Sequence, residues 1–192
     1  MYYNNEKVKE FIKISRRAFL LGMQISSGGN ISIRLNNELI LTKTSGISLF
    51  DCNLNNLVAV NLNGQLIRGT GTPTKEINMH LGIYKKREDV NAVVHYHSPY
   101  STSFASKGMT IPLNTLHSKR ILKDIPIIPE AEEGSAELAE LVTNKFENMD
   151  VKAVLLTGHG IVTIGPSLTA AENLAELVEE SAKIAILKSQ IN

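Results

Sequence analysis

The stretch NAVVHYHSP, residues 91–99, predicts a short buried strand over residues 91–96 that ends beside two histidines. Valine is enriched in strands, and proline is confined to their ends or edges, so Ser98-Pro99 closes the run. Side chains at i and i+2 of a strand point to one face, about 7 Å apart. His95 and His97 could therefore bind one ion, since Zn–N bonds are about 2.0–2.1 Å long. The alternative is two unrelated histidines, one buried and one exposed.

A third histidine strengthens the metal interpretation. His159 lies between two glycines, which free its backbone for a tight turn and allow close approach. Apolar strands over residues 153–156 and 161–164 would hold this turn rigidly, although a plain hairpin with a histidine at its tip has the same pattern. Imidazole ligands suit Zn²⁺ or another borderline divalent cation. Co²⁺ and Mn²⁺ are the alternatives to Zn²⁺. Three protein ligands with an open position are typical of a catalytic site.

Glu76 is the candidate fourth ligand. A helix capped by Thr74 and reaching about Lys86 would place Glu76 in its first turn, where the helix dipole favours the ionised carboxylate. That state suits a metal ligand or a base, but a glutamate at this position is also ordinary helix design. His80, one turn further on, is interpreted as structural or as a support of the site. His117 belongs to no constellation and is assigned no role.

Two glycine-containing turns could form an anion cradle. They are Ser27-Gly28-Gly29-Asn30 and Thr44-Ser45-Gly46, whose backbone N–H groups and short polar side chains can surround a phosphate. Thr74 and Lys75 would add a helix N-terminus and a positive charge. None of these segments matches the nucleotide-binding phosphate loop. Each of them, taken alone, also fits an ordinary turn.

Hairpins interspersed with helices predict a mixed, partly antiparallel sheet covered by helices, rather than a doubly wound parallel sheet. Asn63-Gly64 is a strong hairpin signal, and Thr169-Ala170-Ala171-Glu172 matches a capping box near the start of the last helix. Helices are predicted over residues 5–24, 74–86, 98–107, 135–146 and 168–190, and strands over 31–34, 38–42, 57–61, 65–68, 91–96, 125–128, 153–156 and 161–164.

Composition indicates one domain over residues 1–192. The chain has 20 Lys and Arg against 19 Asp and Glu, so neither nucleic acid nor a membrane surface is favoured as a partner. Its apolar runs are shorter than the roughly 20 residues that span a membrane. The single Cys52 cannot form an internal disulfide, and no signal peptide is evident, which together predict a cytoplasmic location.

Taken in order, these segments resemble the class II aldolase/adducin family across nearly the whole chain. The order and spacing of the motifs are more specific than any one of them. The matching motifs are Gly29-Asn30-Ile31-Ser32-Ile33-Arg34, Thr44-Ser45-Gly46, Pro73-Thr74-Lys75-Glu76, His80, Val93-Val94-His95-Tyr96-His97-Ser98, Gly134-Ser135-Ala136-Glu137-Leu138-Ala139 and Gly158-His159-Gly160.

The resemblance implies an α/β fold, a single three-layer α/β/α domain with a mixed, largely antiparallel central sheet, in a homotetramer with active sites between subunits. It implies Zn²⁺ on His95, His97 and His159, with Glu76 as fourth ligand or acid/base. It also implies a phosphate pocket lined by Gly29, Asn30, Ser45, Gly46, Thr74 and Lys75.

The sequence departs from the family pattern at three points. Lys75 replaces a usual serine, Leu116 stands where the family's aldolases have a tyrosine acid, and the chain ends at Asn192 without the tyrosine of a C-terminal tail. We expect a divalent-metal lyase that acts on a phosphorylated ketose or sugar acid through an enediolate. Decarboxylation of a 3-oxo-tetronate phosphate, epimerisation and dehydration use the same intermediate and remain alternatives, as does a non-catalytic module like the adducin head.

Overall fold

A computed structural model describes residues 5–191, in which eight strands form one sheet between two layers of helices. The helices are α1 (Asn5–Leu20), α2 (Ile77–Lys86), α3 (Pro99–Ala105), α4 (Leu116–Leu122), α5 (Ala136–Phe146) and α6 (Leu168–Lys188). The strands are β1 (Asn30–Arg34), β2 (Leu39–Lys43), β3 (Leu57–Asn61), β4 (Leu66–Arg68), β5 (Ala92–Tyr96), β6 (Ile127–Ile128), β7 (Ala153–Leu156) and β8 (Gly160–Gly165).

The sheet has the strand order β4-β3-β2-β1-β5-β8-β7-β6. Only β6 and β7 pair in parallel, and every other neighbouring pair is antiparallel. This arrangement confirms the predicted three-layer fold with a mixed, largely antiparallel sheet. The prediction of one domain over residues 1–192 stays a prediction, and its outermost residues lie outside the described range.

Strand β5 lies near the middle of the sheet and sends side chains into both helical layers. Ala92, Val94 and Tyr96 pack into the apolar core beneath α1, α3 and α6, whereas Val93 packs into the core beneath α2 and α5. Because side chains alternate along a strand, His95 shares the face of Val93. The first histidine of the pair therefore projects towards the layer that contains α2 and α5.

Helix α1 ends at Leu20, four residues before the predicted end. Gly22 has a φ of 73°, a left-handed conformation that glycine adopts without strain, and the Met23 N–H donates to the Ala18 carbonyl. The amphipathic pattern runs on to Met23 because that side chain is buried in the same core. Periodicity alone therefore missed the glycine stop signal.

Helix α4 was not predicted from the sequence. Thr115 accepts from the Ser118 N–H, and the Ser118 hydroxyl accepts from the Thr115 N–H, which completes a capping box at its start. Leu116 is 87% exposed at the first residue of this helix. The described helices include none that is long and apolar enough to cross a membrane.

The predicted capping box at the start of α6 is wrong. Ser167 caps the helix by accepting from the Ala170 N–H, and Glu172 turns inwards instead. The Glu172 side chain is fully buried and accepts a 2.6 Å hydrogen bond from the Tyr96 hydroxyl. Burial raises the pKa of Glu172 to about 7, and the charge of nearby Glu176 adds to this rise. The hydrogen bond from Tyr96 has the opposite effect but is outweighed.

We predict that Glu172→Gln stabilises the protein at pH 8 and changes little at pH 4.5. The folded state holds the Glu172 proton more tightly than the unfolded chain does, so the free energy of unfolding falls as pH rises from 4.5 to about 7. A rise of this size corresponds to on the order of 3 kcal/mol. Urea unfolding of both proteins at the two pH values measures the difference. Glu180→Gln, at an exposed position of the same helix, is the control. An equal effect of Glu172→Gln at both pH values would contradict the raised pKa of Glu172.

Candidate metal centre and anion cradle

Three imidazole rings meet at the end of β5. The ring centroids of His95, His97 and His159 lie 4.6 to 4.9 Å apart. The Nε2 atoms of His95 and His97 are 3.0 Å apart, and one nitrogen of each of the three rings lies within 4.8 Å of the others. The structure thus brings together the histidines that the sequence selected.

Backbone contacts orient these rings. The His95 Nδ1–H donates to the Ile161 carbonyl at 2.9 Å, which orients the ring so that Nε2 faces the other rings. The backbone N–H of His97 donates to Gln24 Oε1 at 2.8 Å. A Cβ at Gly160 would overlap the Tyr96 carbonyl, so a glycine after His159 lets its turn approach the end of β5. The second glycine flanking His159 is thus needed for close approach.

Glu76 lies beneath the rings and is 3% exposed. Its Oε2 is 3.0 Å from His95 Nε2 and accepts from Asn30 Nδ2 at 2.9 Å. Its Oε1 has no hydrogen-bond partner and lies 3.7 Å from His159 Nε2. The predicted helix start at Thr74 is wrong, since α2 begins at Ile77 after a turn closed by the Ile77 N–H and the Thr74 carbonyl. Glu76 is therefore the residue before the helix, where its carboxylate turns towards the rings.

Burial and charge set the protonation of this cluster. Burial alone would raise the pKa of Glu76, but His95, His159 and the Asn30 amide together hold it well below its usual range. Burial, followed by the charge of His95, lowers the pKa of His97 to about 3 and also lowers the pKa of His159. For His95 the carboxylate of Glu76 outweighs burial and raises the pKa. The cluster therefore combines an ionised carboxylate with two imidazoles held neutral at pH 7.

A second row of buried groups supports Glu76. Asn30 Oδ1 lies 2.5 Å from His80 Nε2, and the Ser32 hydroxyl lies 2.7 Å from His80 Nδ1. Burial lowers the pKa of His80 to about 3, which keeps this ring neutral. The Asn30 amide, expected to contact phosphate, is thus engaged with Glu76 and His80 on both sides. His80 sits in the supporting position that the sequence assigned to it.

The donor set fits a divalent cation. Glu76 Oε1 and His159 Nε2 are buried and lack hydrogen-bond partners, although buried polar atoms are nearly always paired. Neutral imidazole nitrogens beside an ionised carboxylate are the ligand types of zinc and related divalent cations. A cation among His95, His97, His159 and Glu76 would satisfy both unpaired atoms.

The predicted anion-cradle segments line a single cavity of about 230 Å³ beside Glu76. The Ser45 N–H donates to the Thr72 carbonyl at 2.9 Å, which joins the second glycine turn to the segment before α2. The lining residues include all six expected phosphate contacts, Gly29, Asn30, Ser45, Gly46, Thr74 and Lys75, together with Ser27, Gly28, Lys43, Glu76 and Glu133. Backbone pairing thus gathers turns that lie far apart in the sequence.

Sequence reasoning missed three residues of this region. The buried Lys43 ammonium donates to the carbonyls of Ser27 and Ile47, so it ties the two glycine turns together, and burial lowers its pKa. Gln24 packs against both glycines of the first turn, and Glu133 lies 3.3 Å from His159. The position of Lys43 just before Thr44-Ser45-Gly46 was the available signal for the first. Nothing in the local sequence indicates the other two.

Two further residues lie elsewhere. His117 lines a separate, mostly apolar groove with Lys152 and Pro166, which shares no residue with the cavity beside Glu76. Leu116, which the sequence comparison set against the family's tyrosine acid as an expectation, is exposed to solvent in this single chain. Neither side chain contacts the histidine cluster in the described structure.

The fold and the histidine–glutamate cluster define a class II aldolase type of protein, and comparison with known proteins agrees. Residues 9–186 match the family model described as the Class II Aldolase and Adducin N-terminal domain. The chain belongs to this family. The likeness therefore extends from α1 to α6.

Several known proteins are similar to it over most of their length. An L-fuculose phosphate aldolase of Methanococcus maripaludis is 39% identical over 91% of this chain and 93% of its own. A 3-oxo-tetronate 4-phosphate decarboxylase of Haemophilus influenzae is 31% identical over 90% of this chain and 83% of its own. A solved structure of an L-fuculose 1-phosphate aldolase superposes with a TM-score of 0.89 at 30% identity, covering 96% of this chain and 87% of the other.

We predict that Gly29→Ala destabilises the protein more than Gly22→Ala does. Both glycines have left-handed backbones, with φ of 58° and 73°, where an alanine costs about 1–2 kcal/mol. A Cβ at Gly29 would also overlap the Gln24 side chain, whereas a Cβ at Gly22 meets nothing within 4 Å. Displacing Gln24 removes the acceptor of the His97 N–H, which adds about 1–3 kcal/mol. Denaturant unfolding measures both costs, and equal values would show that Gln24 does not support the turn.

Proposed function

We propose that this protein is a divalent-metal-dependent carbon–carbon lyase that acts on a small phosphorylated ketose or sugar acid. The observation that carries the proposal is the meeting of three imidazoles and a buried carboxylate with unpaired ligand atoms, next to a cavity bordered by two glycine turns and Lys75. Membership of the class II aldolase family supports a lyase. The named relatives act on phosphorylated sugars or sugar acids, which supports the substrate class.

His95, His97, His159 and Glu76 would hold the cation, with Zn²⁺, Co²⁺ or Mn²⁺ as candidates. When bound, such a cation supplies a Lewis acid that polarises a carbonyl and stabilises negative charge next to the cleaved bond. Asn30 and His80 hold the Glu76 carboxylate in place from behind. The Ile161 carbonyl holds the His95 ring so that its Nε2 is directed at the cluster.

Glu76 is the candidate acid/base, because it is the ionised group closest to the three rings. The cradle would bind the phosphate through the N–H groups of the glycine turns and through Thr74 and Lys75, and so fix the reacting carbons relative to the cluster. General acid–base groups typically contribute about 10²–10⁴-fold to a rate. The same arrangement also serves epimerisation or dehydration, so substrate binding has to select the reaction.

Lys75 favours decarboxylation as a second candidate function. Its side chain is exposed at the rim of the cavity, where the family's usual serine carries no charge. An ammonium group there can pair with the carboxylate of a sugar-acid phosphate. Leu116 cannot donate a proton, which removes one acid that aldol cleavage uses in the family. The chain should therefore be a poor L-fuculose-phosphate aldolase.

A non-catalytic module like the adducin head is the alternative from another class. It lacks the metal histidines of the enzymes, and all three are present here within 4.8 Å of one another.

A cytoplasmic location agrees with the buried, free Cys52 thiol. A homotetramer is supported by three exposed apolar residues at the end of α1 and just after it, Leu20, Leu21 and Ile25. Sedimentation equilibrium tests this assembly.

We predict one divalent cation per chain and loss of that cation in His97→Ala. Removing a ligand should lower affinity by more than the roughly 10–100-fold that follows loss of a supporting partner. Metal analysis of the purified protein and Co²⁺ titration measure this, and the exposed His117→Ala is the control. Lyase activity should disappear on chelation and return with Zn²⁺, Co²⁺ or Mn²⁺. Full metal occupancy in a variant without all three histidines would refute the proposal.

We predict that the enzyme turns over a 3-oxo-tetronate 4-phosphate better than L-fuculose 1-phosphate. Lys75→Ser should raise KM for the sugar acid more than for the sugar, because only the acid carries a carboxylate for the ammonium. Side-by-side kinetics with saturating metal, with the exposed Lys85→Ser as control, measure the two ratios. A kcat/KM on fuculose phosphate within the common enzyme range of about 10⁴–10⁸ M⁻¹s⁻¹ would show that the absent tyrosine acid is not required.

A further inference from the structure

Glu133 lies on the open side of the histidine cluster, and the function proposed above gives it no role. Its Oε1 is 3.3 Å from His159 Nε2, and its side chain is 55% exposed. It lines the same cavity as Lys75 and Glu76. One carboxylate oxygen of Glu133, one of Glu76 and a ring nitrogen of His159 all lie within 4.8 Å of one another. A second carboxylate, half exposed to solvent, therefore approaches the cluster beside the buried one.

The backbone before α5 holds Glu133 in this place. The Ser135 N–H donates to the Glu132 carbonyl at 3.0 Å, and the Ser135 hydroxyl accepts from the Leu138 N–H as the helix cap. Gly134 has a φ of 76°, and a Cβ there would lie 3.1 Å from the Lys75 carbonyl. The loop is thus closely packed against the segment before α2. This packing brings Glu133 to the cluster even though the side chain itself is half exposed.

The spacing of these atoms is the spacing of ligands that share one ion. Two ligands at about 2.0–2.1 Å from a tetrahedral ion are about 3.3–3.4 Å apart. His95 Nε2 lies 3.0 Å from His97 Nε2 and 3.0 Å from Glu76 Oε2, and the distance from His159 Nε2 to Glu133 Oε1 is 3.3 Å. The ligand-like spacing of the three histidines and Glu76 thus continues to Glu133.

Two buried atoms next to Glu133 lack hydrogen-bond partners. His159 Nε2, its contact atom, has no hydrogen-bond partner. Glu76 is only 3% exposed, and its Oε1 also has no hydrogen-bond partner. This oxygen lies 3.7 Å from His159 Nε2. A cation placed where Glu133, His159 and Glu76 converge would satisfy both atoms.

We propose that Glu133 is an additional protein ligand of the cation, reaching it from the solvent-exposed side of the cluster. The inference rests on the proposed metal centre. It makes the substrate-free site richer in carboxylate than three histidines and Glu76 alone. Carboxylate oxygens suit Mn²⁺, whereas imidazole nitrogens suit Zn²⁺. Glu133 therefore shifts the metal preference of the site towards Mn²⁺.

Metal titrations of the full chain test this without reference to activity. Glu133→Gln should bind Co²⁺ at least about 10-fold more weakly, with a changed visible absorption spectrum, because a charged ligand is lost. Its affinity for Mn²⁺ should fall by a larger factor than its affinity for Zn²⁺. Glu133→Asp, which keeps a carboxylate with shorter reach, should recover part of the Mn²⁺ affinity. Glu132→Gln, the exposed neighbour in the same loop, should match the wild type in every titration.

The outcomes separate this inference from the proposed function. If His97→Ala loses Co²⁺ while Glu133→Gln keeps wild-type affinity and spectrum, Glu133 is not a ligand and the metal centre stands without it. If His97→Ala itself keeps Co²⁺, the metal centre is wrong and the inference falls with it. An equal loss of Mn²⁺ and Zn²⁺ affinity in Glu133→Gln would overturn the proposed effect on metal preference.

Discussion

The buried carboxylate of Glu76 is the group on which the arrangement of the site depends. A charge removed from water is costly unless it is paired and hydrogen-bonded, so the surrounding chain must supply partners at fixed positions. Asn30 provides one from the start of β1, and His95 provides another from the end of β5. These strands are neighbours in the sheet, where Asn30 and His95 are directly paired. The sheet register and the charge at the site therefore stabilise each other.

The cradle depends on a different constraint, the close approach of backbone segments. Gln24 occupies the space that side chains at Gly28 and Gly29 would fill, and it holds the His97 N–H from there. Lys43 donates to the Ser27 carbonyl in the first turn and to the Ile47 carbonyl just after the second. Gln24 thus connects the first turn to the histidine cluster, and Lys43 connects the two turns to each other. Because of this connection, substitutions in the cradle should change the positions of the histidine rings.

Sequence reasoning succeeded where the signal was local and repeated. Alternation along residues 91–97 placed both histidines on one face, and glycines on either side of His159 indicated a tight turn. It failed where a side chain had two uses. Glu172 was expected to be the partner in a capping box, but its side chain is buried in the interior, where it accepts a hydrogen bond from Tyr96. The start of α2 was displaced for a related reason, since Glu76 serves the cluster rather than the first helical turn.

The sequence by itself determined the layered α/β architecture, the family and the residue types able to bind a metal, because periodicity and ordered motifs are properties of the chain alone. Only the tertiary structure decided which groups share one space. Gln24, Lys43 and Glu133 reach the site through the packing of loops against distant strands, and no local pattern encodes such a contact. The physical reason is that a ligand set is defined by distances of about 3 Å. Distances of that size between residues 76, 95, 133 and 159 exist only after the sheet and both helical layers have formed.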